Sequence, residues 1–130
     1  MNTLTNAMRV SASGLNAERF RMDVISSNIA NAGSMKVNGQ DPYRRRSVEI
    51  MGNIDGVQIT RILEDSRPFR VQYEPSNPNA DKDGNVTYSN IEPINEMVDM
   101  IGASRAYEAN IAAFNSAKGM IRSAMTIGKV

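Results

Sequence analysis

Apolar side chains recur at alternating steps of four and three at both ends of this chain, and no other feature restricts its fold as tightly. At the amino end the row is Leu4, Met8, Leu15, Met22, Ile25 and Ile29, with Ser11 and Glu18 interrupting it and Ala32 closing it. Near the carboxyl end Met97, Met100, Tyr107, Ile111, Phe114, Ile121 and Met125 repeat the pattern, broken by Ser104 and by Lys118, whose stem can lie along the row. Each row predicts a long helix with a heptad seam. At 1.5 Å per residue both would run about 45 to 50 Å, well beyond the globular mean of about 11 to 12 residues. Two rods of matching length at opposite chain ends predict an antiparallel coiled coil. Asn2 and Thr3 are placed to cap the first helix, Gly33 to end it in a left-handed conformation, and Pro93, between Glu92 and Glu96, to open the second.

Between the helices the pattern changes period. "VEI", "GVQITRI", "FRVQY" and "NVTYS" alternate β-branched and aromatic residues with polar ones, and "MGNIDG", Pro68, Pro75, Pro78 and "DKDG" punctuate them. Short strands and hairpins follow. In "FRVQY" the residues Phe69, Val71 and Tyr73 share one face, which predicts a half-buried strand. The polar run "EPSNPNADKDGN" reads as an exposed loop. The expected class is α+β, mainly α: a rod helix over 1–33, a loop and small β-rich insert over 34–90, and a second rod helix over 91–130.

Composition narrows the chemistry. The 130 residues contain no Cys and no His, which removes thiolate chemistry, the commonest general base and the commonest transition-metal ligand. A net charge of +1 supplies no general pull toward nucleic acid. Neither a secretory leader nor a run of about 20 apolar residues is visible, so a soluble chain with no membrane span is expected. An enzyme would have to use Asp23, Glu49, Glu64 or Asp99, which are scattered over different elements. No catalysis and no cofactor are expected. "NADKDGNVTYSN" has the opening oxygens of a calcium loop at Asn79, Asp81 and Asp83, but its twelfth position is Asn90 rather than Glu, so a turn at Asp83–Gly84 is the better reading.

Both helices carry a second face to bury. On the second helix the row opposite the apolar seam is Gly102, Ala106, Ala109, Ala113, Ser116, Met120 and Ser123, small enough for another backbone to approach. On the first, Val10, Ala17, Phe20 and Val24 sit away from the seam. One partner helix covers one face only, and an insert this small is expected to leave the other bare. A subunit that completes its core with neighbours is the resulting reading, with a soluble helical adaptor as the alternative. Asn28 and Asn31, i and i+3, read either as solvated amides at a helix end or as a polar clamp that sets register against a neighbour. Tyr43, Arg44, Arg45 and Arg46 read as a solvated edge or an intersubunit contact.

"SASGLNAERFRMDVISSNIANAG" followed by "PYRRR", then "SNPNADKDGNVTY" and "EMVDMIGASRAYEANIAAFNSAK", resembles the rod proteins of the bacterial flagellar basal body, those of the proximal rod above all. "SSNIAN" is similar to the amino-terminal signature of the wider flagellar rod and hook axial family. The resemblance implies a non-enzymatic subunit of the hollow, torque-carrying rod that crosses the periplasm, exported by the flagellar type III apparatus without a cleaved signal. It implies as partners copies of the chain itself, the rod proteins FlgB, FlgF and FlgG, and the rod-to-ring adaptor FliE. The family's asparagine signature falls on Asn28, Ala30 and Asn31, and its later block on Arg105, Tyr107, Glu108 and Asn110. Asn28, Asn31, Arg105, Ala106, Glu108, Ala109, Asn110 and Ala113 make the candidate intersubunit set, and Tyr43 to Arg46 the candidate loop contact. Ser34 stands where relatives usually carry Thr, and "SMKVNGQDPYRRR" departs from the family's Thr- and Gly-rich form.

Overall fold

A computed structural model describes residues 3–128, so Asn2, expected to help cap the first helix, lies outside the described residues. The element order is α1 (Thr3–Ala30), β1 (Arg46–Asn53), β2 (Gly56–Glu64), β3 (Arg70–Tyr73), β4 (Asn85–Tyr88) and α2 (Pro93–Ile127). Two long helices with small antiparallel sheets between them are the mainly α, α+β architecture that the periodicity implies. The helices are unequal, however, at 28 and 35 residues. α1 stops early because the Asn31 N–H is shared between the carbonyls of Ser27 and Asn28, and Ala32 and Ser34 then close tight turns on Ile29 and Asn31. Gly33 is not left-handed, contrary to expectation; positive φ occurs at Asn38, Gly39, Gly56 and Gly84.

The chain forms two compact units, to which both helices contribute. One comprises the chain up to Met22, Val48–Arg61 and the chain from Ile101 onward. Here α1 and α2 touch at Gly14, where an added Cβ would lie 2.8 Å from the Asn110 amide. The β1–β2 hairpin seats on another face of α1. Ser13 Oγ donates to the Val10 carbonyl at 2.6 Å and accepts the Val57 N–H at 3.0 Å. Gly56, at φ 124°, comes so near that a Cβ there would meet Ser13 Oγ at 2.2 Å. The insert therefore covers part of α1's second face, which the sequence reading leaves bare. Ala17 is buried, and Val10 and Phe20 stay at the rim.

The other unit comprises Asp23–Ser47 and Ile62–Met100. β3 and β4 pair antiparallel with Arg70 opposite Tyr88 and Tyr73 opposite Asn85. The chain after α1 joins the far side of β4, through Lys36 N–H to the Thr87 carbonyl and Ser89 N–H to the Ser34 carbonyl. β4 is thus the inner strand, and it takes the burial: Val86 is fully enclosed. β3 is an edge, and the half-buried strand expected of "FRVQY" is not found, since Val71 and Tyr73 are 59% and 68% exposed. Phe69 alone is sheltered, beneath the Arg44 guanidinium at 4.1 Å.

The helix seams differ from the periodicity reading in one consistent way. On α2 the inward positions are Glu96, Met100, Ala103, Tyr107, Asn110, Phe114, Ala117 and Ile121. Every second member has moved one residue toward the amino end, so Met97, Ile111 and Met125 are exposed instead of buried. On α1 the same shift brings in Gly14 and Asn28, with Leu4, Met8, Leu15, Met22 and Ile29 half-buried beside them and Ile25 buried. The displacement turns each contact line by about 50°. Small and hydrogen-bonded side chains occupy the new positions, so the backbones approach more closely than Met or Ile would permit. Within the first unit Gly14 of α1 meets Asn110 of α2, and within the second Asn28 of α1 meets Glu96 of α2.

Candidate functional site

Glu96 opens the second turn of α2 and is wholly buried, as is Asn28 in the last turn of α1. An isolated carboxylate in such a place costs several kcal/mol in lost hydration, so partners must surround it. They do. Asn28 Nδ2 donates to Glu96 Oε2 at 3.0 Å and to the Arg46 carbonyl at 2.7 Å, while its Oδ1 accepts the Arg46 N–H at 3.1 Å. The amide is nearly saturated. On the other side Arg45 Nε donates to Glu96 Oε1.

Arg45 is the hub of this cluster. Besides Glu96 it reaches Asp65 and Asp99, each at 3.4 Å. Burial works against its charge, but the bond to Glu96 and the fields of Glu96, Asp65 and Asp99 outweigh it and raise the guanidinium above its ordinary range. Asp65 is held down to about 2, first by the side-chain bonds from Arg67, then by the Arg67 N–H and the charges of Arg67 and Arg45, against a desolvation that raises it. Asn90 ties the same loops together. Its Oδ1 accepts the Arg45 N–H at 2.8 Å, and its Nδ2 donates to the carbonyls of Asp65 and Arg67. Arg44 Nη1 donates to those same two carbonyls at 2.8 and 2.9 Å.

This geometry reassigns several residues that the sequence marks as external contacts. Asn28 works inside the chain, locking the incoming β1 to the start of α2. Arg44 and Arg45 are internal crosslinks, not a solvated edge. Arg46 alone of the three projects into solvent, over the Tyr43 ring at 5.2 Å. Asn31 donates to the Ser27 carbonyl one turn back and does not join the cluster. Asn110 donates to the Ala106 carbonyl and lies against Gly14, inside the helix pair. Arg105, Glu108, Ala109 and Ala113 are exposed on α2, and Ala106 is half-buried.

What the sequence reading missed is equally specific. The sequence suggests for Glu96 only a helix-dipole role and for Asn90 only the last place of a calcium-like run, and it gives Asp65 no role. A lone carboxylate beside the predicted seam position Met97, in a chain whose insert carries the run Arg44 to Arg46, is the signal that could reveal the pair. Gly14, too, stood unremarked beside Leu15.

The outward side of α2 is apolar over its first turns. Ile94, Met97, Val98 and Ile101, spaced at i, i+3, i+4 and i+7, are all more than half exposed. Soluble monomers seldom display so many large apolar side chains in two turns. The Asn79 to Asp83 loop, by contrast, is a turn: Asp81 Oδ1 accepts the N–H groups of Asp83 and Asn85, and Gly84 sits at φ 81°. Among the described residues no cluster of acids that could hold a metal is found, and no helix is long and apolar enough to cross a membrane.

Two family models match the chain: a flagella basal body rod protein model over residues 8–32, and a model of the carboxyl-terminal part of flagellar basal body rod FlgEFG proteins over residues 82–127. The first covers the α1 region of the Gly14 and Asn28 contacts, the second all of α2. Curated relatives align along almost the whole chain. The flagellar basal-body rod protein FlgC of Bacillus subtilis is 40% identical, covering 98% of this chain and 99% of its own. That of Aquifex aeolicus is 43% identical over 91% and 92%, and that of Escherichia coli O6:H1 35% identical over 97% and 98%.

Proposed function

The chain belongs to the FlgC family of flagellar basal-body rod proteins, and from that premise we propose that it polymerises through the outward faces of its two long helices. It is a structural subunit of the basal-body rod, not an enzyme, and it assembles with other proteins of that structure. The observation that carries the proposal is the exposed row Ile94, Met97, Val98 and Ile101, whose burial would remove several large apolar side chains from water at about 25 cal/mol per Å².

In this reading the terminal regions 1–33 and 91–130, which carry α1 and α2, build the hollow shaft and the 34–90 insert braces them. Arg105, Ala106, Glu108, Ala109 and Ala113 receive neighbouring subunits. The neighbours are copies of the chain together with FlgB, FlgF, FlgG and FliE, and the route is the flagellar type III export apparatus to a rod that spans the periplasm, without cleavage of a signal. A short exposed stripe of alanines beside an apolar row supports this, because it lets a second helix pack closely. An adaptor that recognises one partner would need one such face only.

Ala109→Trp tests the proposal. Ala109 is exposed, so the isolated chain should fold as before by circular dichroism, while swimming motility and recovery of the chain in purified basal bodies should fall at least tenfold. Unchanged incorporation would remove Ala109 from the interface.

A further inference from the structure

The tip of the β1–β2 hairpin is built as a knob. Ile54 is 89% exposed, more than any other large apolar residue described, and Met51 beside it is also exposed. An exposed isoleucine in a loose loop would be unremarkable, but this tip is held. Asn53 Oδ1 accepts the Asp55 N–H at 2.8 Å to form a closed turn, and Arg9 of α1 reaches Asp55 at 3.2 Å. The presentation of Ile54 is therefore preorganised, which lowers the cost of docking it. Asp55 keeps most of its carboxylate in solvent.

A matching socket exists on other elements. A cavity of about 480 Å³ is lined by Ala32, Gly33, Ile91, Pro93 and Ile94 together with the charged pair Arg70 and Glu92. Its rim is open at Gly33, where an added Cβ would meet no atom within 4 Å. The positive end of α2, at Pro93, faces the same cavity and adds to the charge of Arg70. Glu92 offsets part of that charge, and with five of the seven lining residues apolar the site suits an apolar side chain whose neighbouring carboxylate falls on the Arg70 side.

We infer that Ile54 of one copy inserts into the Ile91–Ile94 socket of a second copy of this chain, with Asp55 beside Arg70. The inference rests on the subunit reading above and adds a specific contact to it. Knob and socket are built from different residues, so the contact is head-to-tail. It repeats from copy to copy without being used up.

The absence of cysteine makes a clean test possible. Ile54→Cys and Ile94→Cys, both at exposed positions, are purified as full chains, mixed and oxidised with oxidised glutathione. A covalent heterodimer is expected, at a yield at least tenfold above that of Ile54→Cys mixed with Met120→Cys, a position also more than half exposed. A chain carrying both substitutions should give a ladder of multimers. Equal yields in the two mixtures overturn the contact. If the wild-type chain still associates by sedimentation in that case, the subunit reading stands. A wild-type chain that stays monomeric at every concentration overturns the contact and self-assembly together.

Discussion

Asn28 and Glu96, two fully buried polar side chains 68 residues apart in sequence, meet at 3.0 Å between the last turn of α1 and the first turns of α2. Neither has water to fall back on. The pair therefore favours this set of inward positions, because rotating either helix would part Glu96 from Asn28 and leave buried polar groups without partners.

Removing one partner should be costly. Asn28→Ala leaves Glu96 Oε2 and the Arg46 N–H and carbonyl short of partners, and about 2 to 4 kcal/mol of stability should be lost in urea titration. Asn28→Asp adds a second carboxylate facing Glu96 and should cost more than Asn28→Ala, because like charges then share one buried site. A loss below about 0.5 kcal/mol for Asn28→Ala would show that solvent reaches the site.

Arg45→Met separates charge from bulk. It keeps an apolar stem but leaves Glu96 buried without its cation, and about 3 kcal/mol should be lost. The double variant Arg45→Met with Glu96→Leu should recover most of this in thermal unfolding, since an apolar pair of similar volume needs no hydration. If the double variant is as unstable as the single, the penalty lies in the lost contacts of Arg45 with Asp65 and Asp99.

Gly14 and Asn110 offer a double-mutant cycle. Gly14→Ala gains about 1 kcal/mol of helix propensity, yet its Cβ would press on the Asn110 amide at 2.8 Å. Net destabilisation of about 1 kcal/mol is expected for the single variant. With Asn110→Ala as well, the clash is gone and the propensity gain should show as a higher melting temperature than that of Asn110→Ala alone.

Hairpin seating depends on Gly56. Gly56→Ala places a methyl into Ser13 Oγ and demands φ 124° of a residue with a side chain. A loss of about 2 to 3 kcal/mol is expected, together with faster amide exchange at Val57, whose N–H is held by Ser13. Ser13→Ala should speed exchange at Val57 with a smaller loss of stability.

Acid should release the cluster in a defined window. The carboxyl of Asp65 is depressed to about 2 by Arg67 and Arg45, so its stabilisation is fully present above the unfolded value near 4 and fades as pH falls from about 4 to about 2. With screening allowed for, about 1 kcal/mol is at stake. Asp65→Asn should lower stability at pH 7 and flatten the pH dependence across that window, as read by denaturant midpoints at each pH.

The amino-acid order alone determined the long helices, their antiparallel partnership, the β-rich insert and the membership of a rod family, because these follow from local periodicity and from near-continuous residue patterns. Heptads fix a helical stripe to within one position, and Pro93 marks a start regardless of what packs nearby. Only the tertiary structure decided which edge of that stripe turns inward. Met97 and Ile111 are more apolar than Glu96 and Asn110, so periodicity places them inside; Arg45, Asn28 and Gly14, distant in sequence, reverse the choice by offering bonds and space that no local window contains. The hairpin on Ser13 and the exposed edge of β3 were decided the same way. Burial depends on what arrives from elsewhere in the chain, and hydrogen-bonded close approach outweighed hydrophobicity where the two competed.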